Sequence, residues 1–258
     1  MCFSDFRQDA DSFKDKIGGF KKSIKGTTEL VFFNAPHEIP PASCISNTEN
    51  GVSILKGGRS WWFCDESNDF NSRTECEEAN GFESSVNAIN QAFKTQGPFD
   101  GILGFSQGGA MAALICALKE HQAFMHDFHF VVLIAGFQSR SKCHQYLYTK
   151  PINIQSLHII GENDSCVSKD RSEVLIPLFK SSSVVYHEGG HFIPSKSNNL
   201  CEDVVFHLRL NIASVTQAIP QTNKDSVLDR TEKLRNRWGF IIVMGGAHKY
   251  RRFIKEYW

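Results

Sequence analysis

Ser106 stands in the run Gly104-Phe105-Ser106-Gln107-Gly108, with a glycine two places to either side. The spacing is G-x-S-x-G. An apolar run, Gly101 to Phe105, precedes the serine, and small and aliphatic residues follow it to Leu118. A strand, a tight turn and a helix are therefore expected, with the serine at the apex. Glycines flanking such a turn remove β-carbons that would collide, and the hydroxyl stands at a helix N-terminus. There it can attack a carbonyl, and the amide of Gln107 can face the oxyanion that forms.

A serine hydroxyl is a weak nucleophile until a base takes its proton, and the base must itself be oriented. The order serine, acid, histidine goes with this kind of turn. Downstream, Asp164 follows the apolar run "SLHIIG" in the turn "ENDS". It is preferred over Glu162, which lies too close to the strand end, and over Asp170, which falls inside the next helix. Of the ten histidines, His191 follows a strand and the pair Gly189-Gly190, which lets a loop bring the ring back over the sheet. His191 is the expected general base and Asp164 its acid. Trp61-Trp62-Phe63 lie in a long irregular region running from His37 to about Arg73. They are expected to line an acyl or alkyl groove, to anchor the loop in the core, or both, since a large aromatic has two faces.

Elements that position these groups follow from the pattern. Phe13, Ile17, Phe20 and Ile24 recur at helical spacing. "TELVFFNAP", "FDGILGF", "FHFVVLIAGF", "SLHIIGEND" and "SSVVYHEGGH" are apolar runs expected as strands, and "MCFSDF" is the end of another that starts abruptly at Met1. Helices are expected around Phe82 to Phe93, over "QGGAMAALICALKEH", after Ser168 as N-cap, and over "SKSNNLCEDVVFHLRL". Apolar strands alternating with helices indicate a mostly parallel α/β sheet with helices on both faces. Ligands of such sheets collect beyond the carboxyl ends of the strands, where Ser106, Asp164 and His191 fall.

The chain has 258 residues, 41% hydrophobic and 22% charged, with no net charge. That balance gives no electrostatic case for nucleic acid. Eight cysteines form no C-x-x-C pair or zinc spacing, and the N-terminal residues lack the basic flank and apolar run of a signal peptide. A reducing compartment is expected, the cytoplasm and also the nucleus, with no stable membrane insertion. From Asn211 onward nine Lys and Arg face four Asp and Glu. Residues 211–258 are expected to be a basic added tail, loosely docked or disordered, behind a domain at 1–210.

Together, "FRQDADSFKDKIGGFKKSIKG", "APHEIP", "SWWF", "GPFDGILGFSQGGAMAALICAL", "IIGENDS" and "GGHFIPSKS" make the chain resemble the FSH-type serine hydrolases. That family joins fungal serine hydrolases with the animal ovarian-cancer-associated-gene esterase, and the likeness covers roughly residues 1 to 205. The resemblance implies an α/β-hydrolase fold and esterase activity on esters with medium or long alkyl or acyl chains, without cofactor or metal. Thioesters released from carriers are the related substrate. It also implies the roles of Ser106, Asp164 and His191, and, by position, Phe6 N–H as the second oxyanion donor. Two departures stand out: the first strand is short, and Asp5 replaces the family's glycine. A carboxylate beside the oxyanion would oppose catalysis. The competing expectation is therefore an impaired hydrolase fold that serves as a binding module. No cationic cluster near the three site residues, of a kind that would select an acidic substrate, is evident along the chain.

Overall fold

A computed structural model describes residues 1–24, 28–39, 42–44, 53–55, 58–64 and 70–194. The chain begins with β1 (Cys2–Phe3), then α1 (Ala10–Lys16) and α2 (Gly18–Ser23). Short strands follow: β2 (Phe32–Phe33), β3 (His37–Ile39), β4 (Ala42–Cys44), β5 (Ser53–Leu55) and β6 (Gly58–Ser60). The second half alternates regularly: α3 (Phe82–Gln96), β7 (Gly101–Phe105), α4 (Gln107–Glu120), β8 (Phe130–Ile134), β9 (Gln155–Gly161), α5 (Lys169–Glu173) and β10 (Ser182–His187).

Six strands form one parallel sheet in the order β10-β9-β8-β7-β1-β2. The chain moves outward from β1 to β2, then returns to β1's other side with β7 and continues away. The crevice between β1 and β7 is thus the point where the winding reverses, the place at which doubly wound sheets bind ligands. The loops after these two strands carry Phe6 and Ser106. Although β1 is two residues long, it is central: Cys2 and Phe3 pair with Leu103 and Gly104 on one side and with Phe32 and Phe33 on the other.

Successive strand residues point to opposite faces, so both faces carry a core. Val131 and Leu133 join one cluster, with Phe3, Ile89, Phe93 and the apolar residues of α4. Val132 and Ile134 join the other, with Phe13, Ile17, Phe20 and Ile24 from α1 and α2. The helical stripe expected over 13–24 is continuous in burial but broken at Ile17, where the chain turns between two helices. Helix α4 is buried on every side from Gln107 to Leu118, as a helix apolar all round must be. Its small residues let it lie close to the sheet: a β-carbon on Gly109 would stand 3.0 Å from Gly136 Cα.

The stretch expected to be irregular, His37 to Arg73, holds two antiparallel pairs, β3 with β6 and β4 with β5. These three-residue strands carry polar residues and no alternating pattern, so periodicity gave no sign of them. Ser168 caps α5 by position without a side-chain hydrogen bond. The helix expected over "SKSNNLCEDVVFHLRL" and the tail 211–258 lie outside the described residues. Among the described residues no helix is long and apolar enough to cross a membrane.

Candidate active site

Ser106 joins β7 to α4 with φ 54° and ψ −116°, a backbone conformation that L-residues avoid and that functional turns retain. The turn closes because its glycines have no side chains. A β-carbon on Gly104 would lie 2.2 Å from the Gly108 carbonyl oxygen, and one on Gly108 would lie 2.5 Å from the carbonyl oxygens of both Phe3 and Ser4. Gly108 therefore lets α4 approach the loop after β1. Ser106 N–H donates to Ile134 O at 2.9 Å, which ties the turn to β8.

Asp164 and His191 meet, as their positions in the chain suggest. His191 Nδ1 is 2.7 Å from Asp164 Oδ2. The other carboxylate oxygen accepts the N–H groups of Cys166 and Val167, each at 2.8 Å. Both Asp164 oxygens are thus committed, and the carboxylate is almost wholly shielded from water. The His191 loop is drawn in by Asn163 N–H, which donates to Gly189 O at 3.1 Å. The imidazole rests on Phe105, ring centroids 4.9 Å apart, next to the serine. Asp164, Cys166 and His191 are near enough to one another to share a metal ion, although the Asp164 oxygens already accept from two main-chain N–H groups and face the His191 ring.

Asp5 falls inside the crevice. Its Oδ1 accepts Phe6 N–H at 2.6 Å and Gln107 N–H at 3.4 Å, the two amides expected to hold an oxyanion. Its Oδ2 lies 3.6 Å from His191 Nε2. The carboxylate thus occupies the cup between the two donors. Burial pushes the His191 pKa down, but hydrogen bonding to Asp5 and then to Asp164, with the charge of both, outweighs it and holds the ring above its ordinary 6.5.

Trp61 and Trp62 do not form a groove wall. They are 0% and 1% exposed, because neighbours cover their faces: Phe3 and Phe33 around Trp61, and Phe70, Phe82 and His144 around Trp62. Of the two roles open to them, core anchoring is the one realised. The same segment also braces the site. Trp61 Nε1–H donates to Ser4 O at 2.9 Å, beside the loop that carries Phe6. The Gln107 side chain accepts Trp61 N–H at 3.0 Å and donates to Trp62 O at 2.9 Å. With its side chain held below, Gln107 keeps its main-chain N–H toward the crevice. This bracing was not legible in the sequence, where Gln107 is only the residue after the serine.

A parallel sheet wound outward from a central reversal, with a strained serine turn and an aspartate–histidine pair at its carboxyl edge, defines an α/β-hydrolase of the serine type. Residues 1–202 match the family "Serine hydrolase (FSH1)". The chain is 39% identical over 207 residues to "Esterase OVCA2" of Danio rerio, covering 77% of this chain and 91% of that protein. Identity to "Esterase OVCA2" of Xenopus tropicalis is 38% over 196 residues, 76% of this chain and 85% of that one. Among solved structures, esterase PE8 superposes with a TM-score of 0.53 at 18% identity, covering 81% of this chain and 90% of that one, a likeness of fold. The chain belongs to the FSH1 serine hydrolase family and is an esterase of the OVCA2 type.

Proposed function

We propose that the protein hydrolyses carboxylic esters with medium or long chains through an acyl-enzyme on Ser106. The observation that carries this is the 2.7 Å pairing of Asp164 with His191 at the same sheet edge as the strained Ser106 turn. Ser106 Oγ attacks the carbonyl carbon while His191 Nε2 takes its proton. Asp164 holds the ring with Nδ1 protonated and stabilises the imidazolium. The oxyanion forms between Phe6 N–H and Gln107 N–H, so the substrate carbonyl must displace the Asp5 carboxylate from them. One such donor is worth about 2.7–4 kcal/mol of barrier. His191 then protonates the leaving alcohol. Water, deprotonated by His191, attacks the acyl carbon, and the acid leaves. A thioester follows the same steps with a thiol as leaving group.

The apolar chain is assigned to Phe6 and Phe70, both half-buried, with ring centroids 5.4 Å apart beside the oxyanion loop. Each methylene buried there contributes at most about 0.8 kcal/mol. The rate constant kcat/KM on chromogenic esters, measured below micelle formation, is expected to rise from acetate to medium chain length and then level off. A preference for acetate would remove this part of the proposal. For the nucleophile the test is a fluorophosphonate probe with the adduct mapped by mass spectrometry. Labelling is expected on Ser106 and is lost in Ser106→Ala. Labelling of another serine in the folded protein would overturn the assignment.

A further inference from the structure

Beneath Phe70 lies Phe137, a buried core ring with its centroid 6.2 Å away, and the Arg171 guanidinium lies 5.1 Å over it, which places this cation close to the half-buried Phe70. An open cavity of about 420 Å³ begins here, lined by Glu75, Gln138, Ser139, Arg140, Lys142 and Arg171 among others. Residues far apart in the chain supply its charge, which is why the sequence showed no cationic cluster. Arg140 and Lys142 follow β8, Arg171 lies in α5, and Arg73 reaches over to donate to Ser165 O, next to Asp164.

Among the described residues the ion pairs leave positive charge over. Arg140 pairs with Glu75, and Lys142 with Glu77 at 2.5 Å. Arg73 and Arg171 have no carboxylate partner within ion-pair distance among the described residues; Arg171 donates to the hydroxyl and carbonyl of Ser72. Burial, then the charges of Arg140 and Arg73, lower the Arg171 pKa, and the charge of Asp164 offsets only part of this. Like charges held this close repel one another, and an added anion relieves the repulsion. The wall between them is rigid. Ser139 N–H donates to Tyr148 Oη at 3.0 Å, Ser139 Oγ is 2.8 Å from His144 Nδ1, and Gln145 Nε2 donates to Ser139 O at 2.8 Å. Guanidinium groups beside such a wall suit a carboxylate or a phosphate, either of which can accept two of their N–H groups at once.

We infer that this cavity binds the anionic end of the substrate, a carboxylate or phosphate carried on the chain that Phe6 and Phe70 hold. The inference rests on the esterase reading of Ser106 and narrows its substrate to esters or thioesters with an apolar segment and an acidic terminus.

Three series of p-nitrophenyl esters of equal chain length test it on the full-length protein: methyl-ended, ω-carboxylate and ω-phosphate. At a chain length that reaches past Phe70 to the cavity, kcat/KM for at least one anionic series is expected to exceed the methyl-ended ester by about tenfold, as one charge-assisted hydrogen bond gives. The two anionic arms tell which oxyanion the cavity takes. The advantage is expected to shrink in 0.5 M NaCl and to fall to near one in Arg171→Gln and in Arg140→Gln, mainly through KM. Rates of fluorophosphonate labelling serve as the fold check for both variants. A wild-type ratio at or below one for both anions overturns the inference while hydrolysis of the methyl-ended series leaves the esterase reading intact. A ratio that persists in both labelling-competent variants also overturns it. Hydrolysis of none of the three series overturns the esterase reading itself.

Discussion

Two main-chain N–H groups, Phe6 and Gln107, meet one carboxylate oxygen of Asp5, although the proposed reaction needs both for the oxyanion. The substrate carbonyl is a weaker acceptor than a carboxylate, so Asp5 competes in the ground state. It repels in the transition state, when negative charge develops beside it. Asp5→Gly is expected to raise kcat/KM on a simple ester by roughly tenfold, equivalent to about 1.4 kcal/mol of barrier. An unchanged or lower rate would mean that substrate binding already turns the carboxylate away. The same residue sets the pH profile. His191 is faced by Asp5 and Asp164, by Cys166 beside Asp164, and across Phe105 by Lys16, whose Nζ lies 4.7 Å from that ring. A general base acts when neutral, so kcat/KM rises with pH through the His191 pKa. Asp5 and Asp164 hold that pKa above 6.5, which puts the acid limb of the wild-type profile above 6.5. Asp5→Asn removes one raising partner, and the limb is expected to move to lower pH. A limb that stays in place would show that Asp5 does not touch the imidazole in solution.

At the scale of elements, the segment from β6 to Phe63 braces the crevice from below. Trp61→Phe keeps most of the ring volume and deletes the Nε1–H that holds Ser4 O. A buried carbonyl left without its donor costs roughly 1–3 kcal/mol. Because Ser4 leads into the Phe6 loop, kcat is expected to fall while KM changes little; a change in KM alone would reassign Trp61 to substrate binding. Trp62 is pure packing, covered by Phe70, Phe82 and His144. Trp62→Ala is expected to lower unfolding stability by about 3–5 kcal/mol, read from the denaturant midpoint, without flattening the chain-length series. The glycine in α4 that faces β1 is equally constrained. Gly108→Ala would drive a methyl group into the carbonyls of Phe3 and Ser4, so β1 or α4 must shift.

For the whole molecule, function depends on a reversal of winding. The loop after β1 and the turn after β7 are neighbours only because the chain returns to the opposite side of β1. Among the described residues, both cores, the Ser106 turn and the Asp164–His191 pair are complete before residue 195. The family match ends at residue 202. A chain ending at Leu210 is therefore expected to keep fluorophosphonate labelling of Ser106 at a rate close to that of the full chain. Loss of labelling in the shortened protein would make residues 211–258 part of the working enzyme.

The parallel sheet, its two cores, the Ser106 turn and the Asp164–His191 pair were legible along the chain because each leaves a local mark. Strands β7 and β8 are continuous apolar runs, Phe13 to Ile24 repeat at helical spacing, and Gly104 and Gly108 bracket a turn with no room for a β-carbon at either position. Asp164 and His191 each follow a strand, and parallel strands deliver their ends to one edge. The short pairs β3–β6 and β4–β5 left no mark, since three residues of mixed polarity are too few to show a period. The burial of Trp61 and Trp62 was equally hidden, because a large ring serves a core and a groove alike until its neighbours are known. Only the tertiary structure decided where Asp5 points and that Arg140, Lys142 and Arg171 line one cavity. Both outcomes depend on distance and direction between residues tens of positions apart, and Coulomb energy depends on those distances, not on separation along the chain.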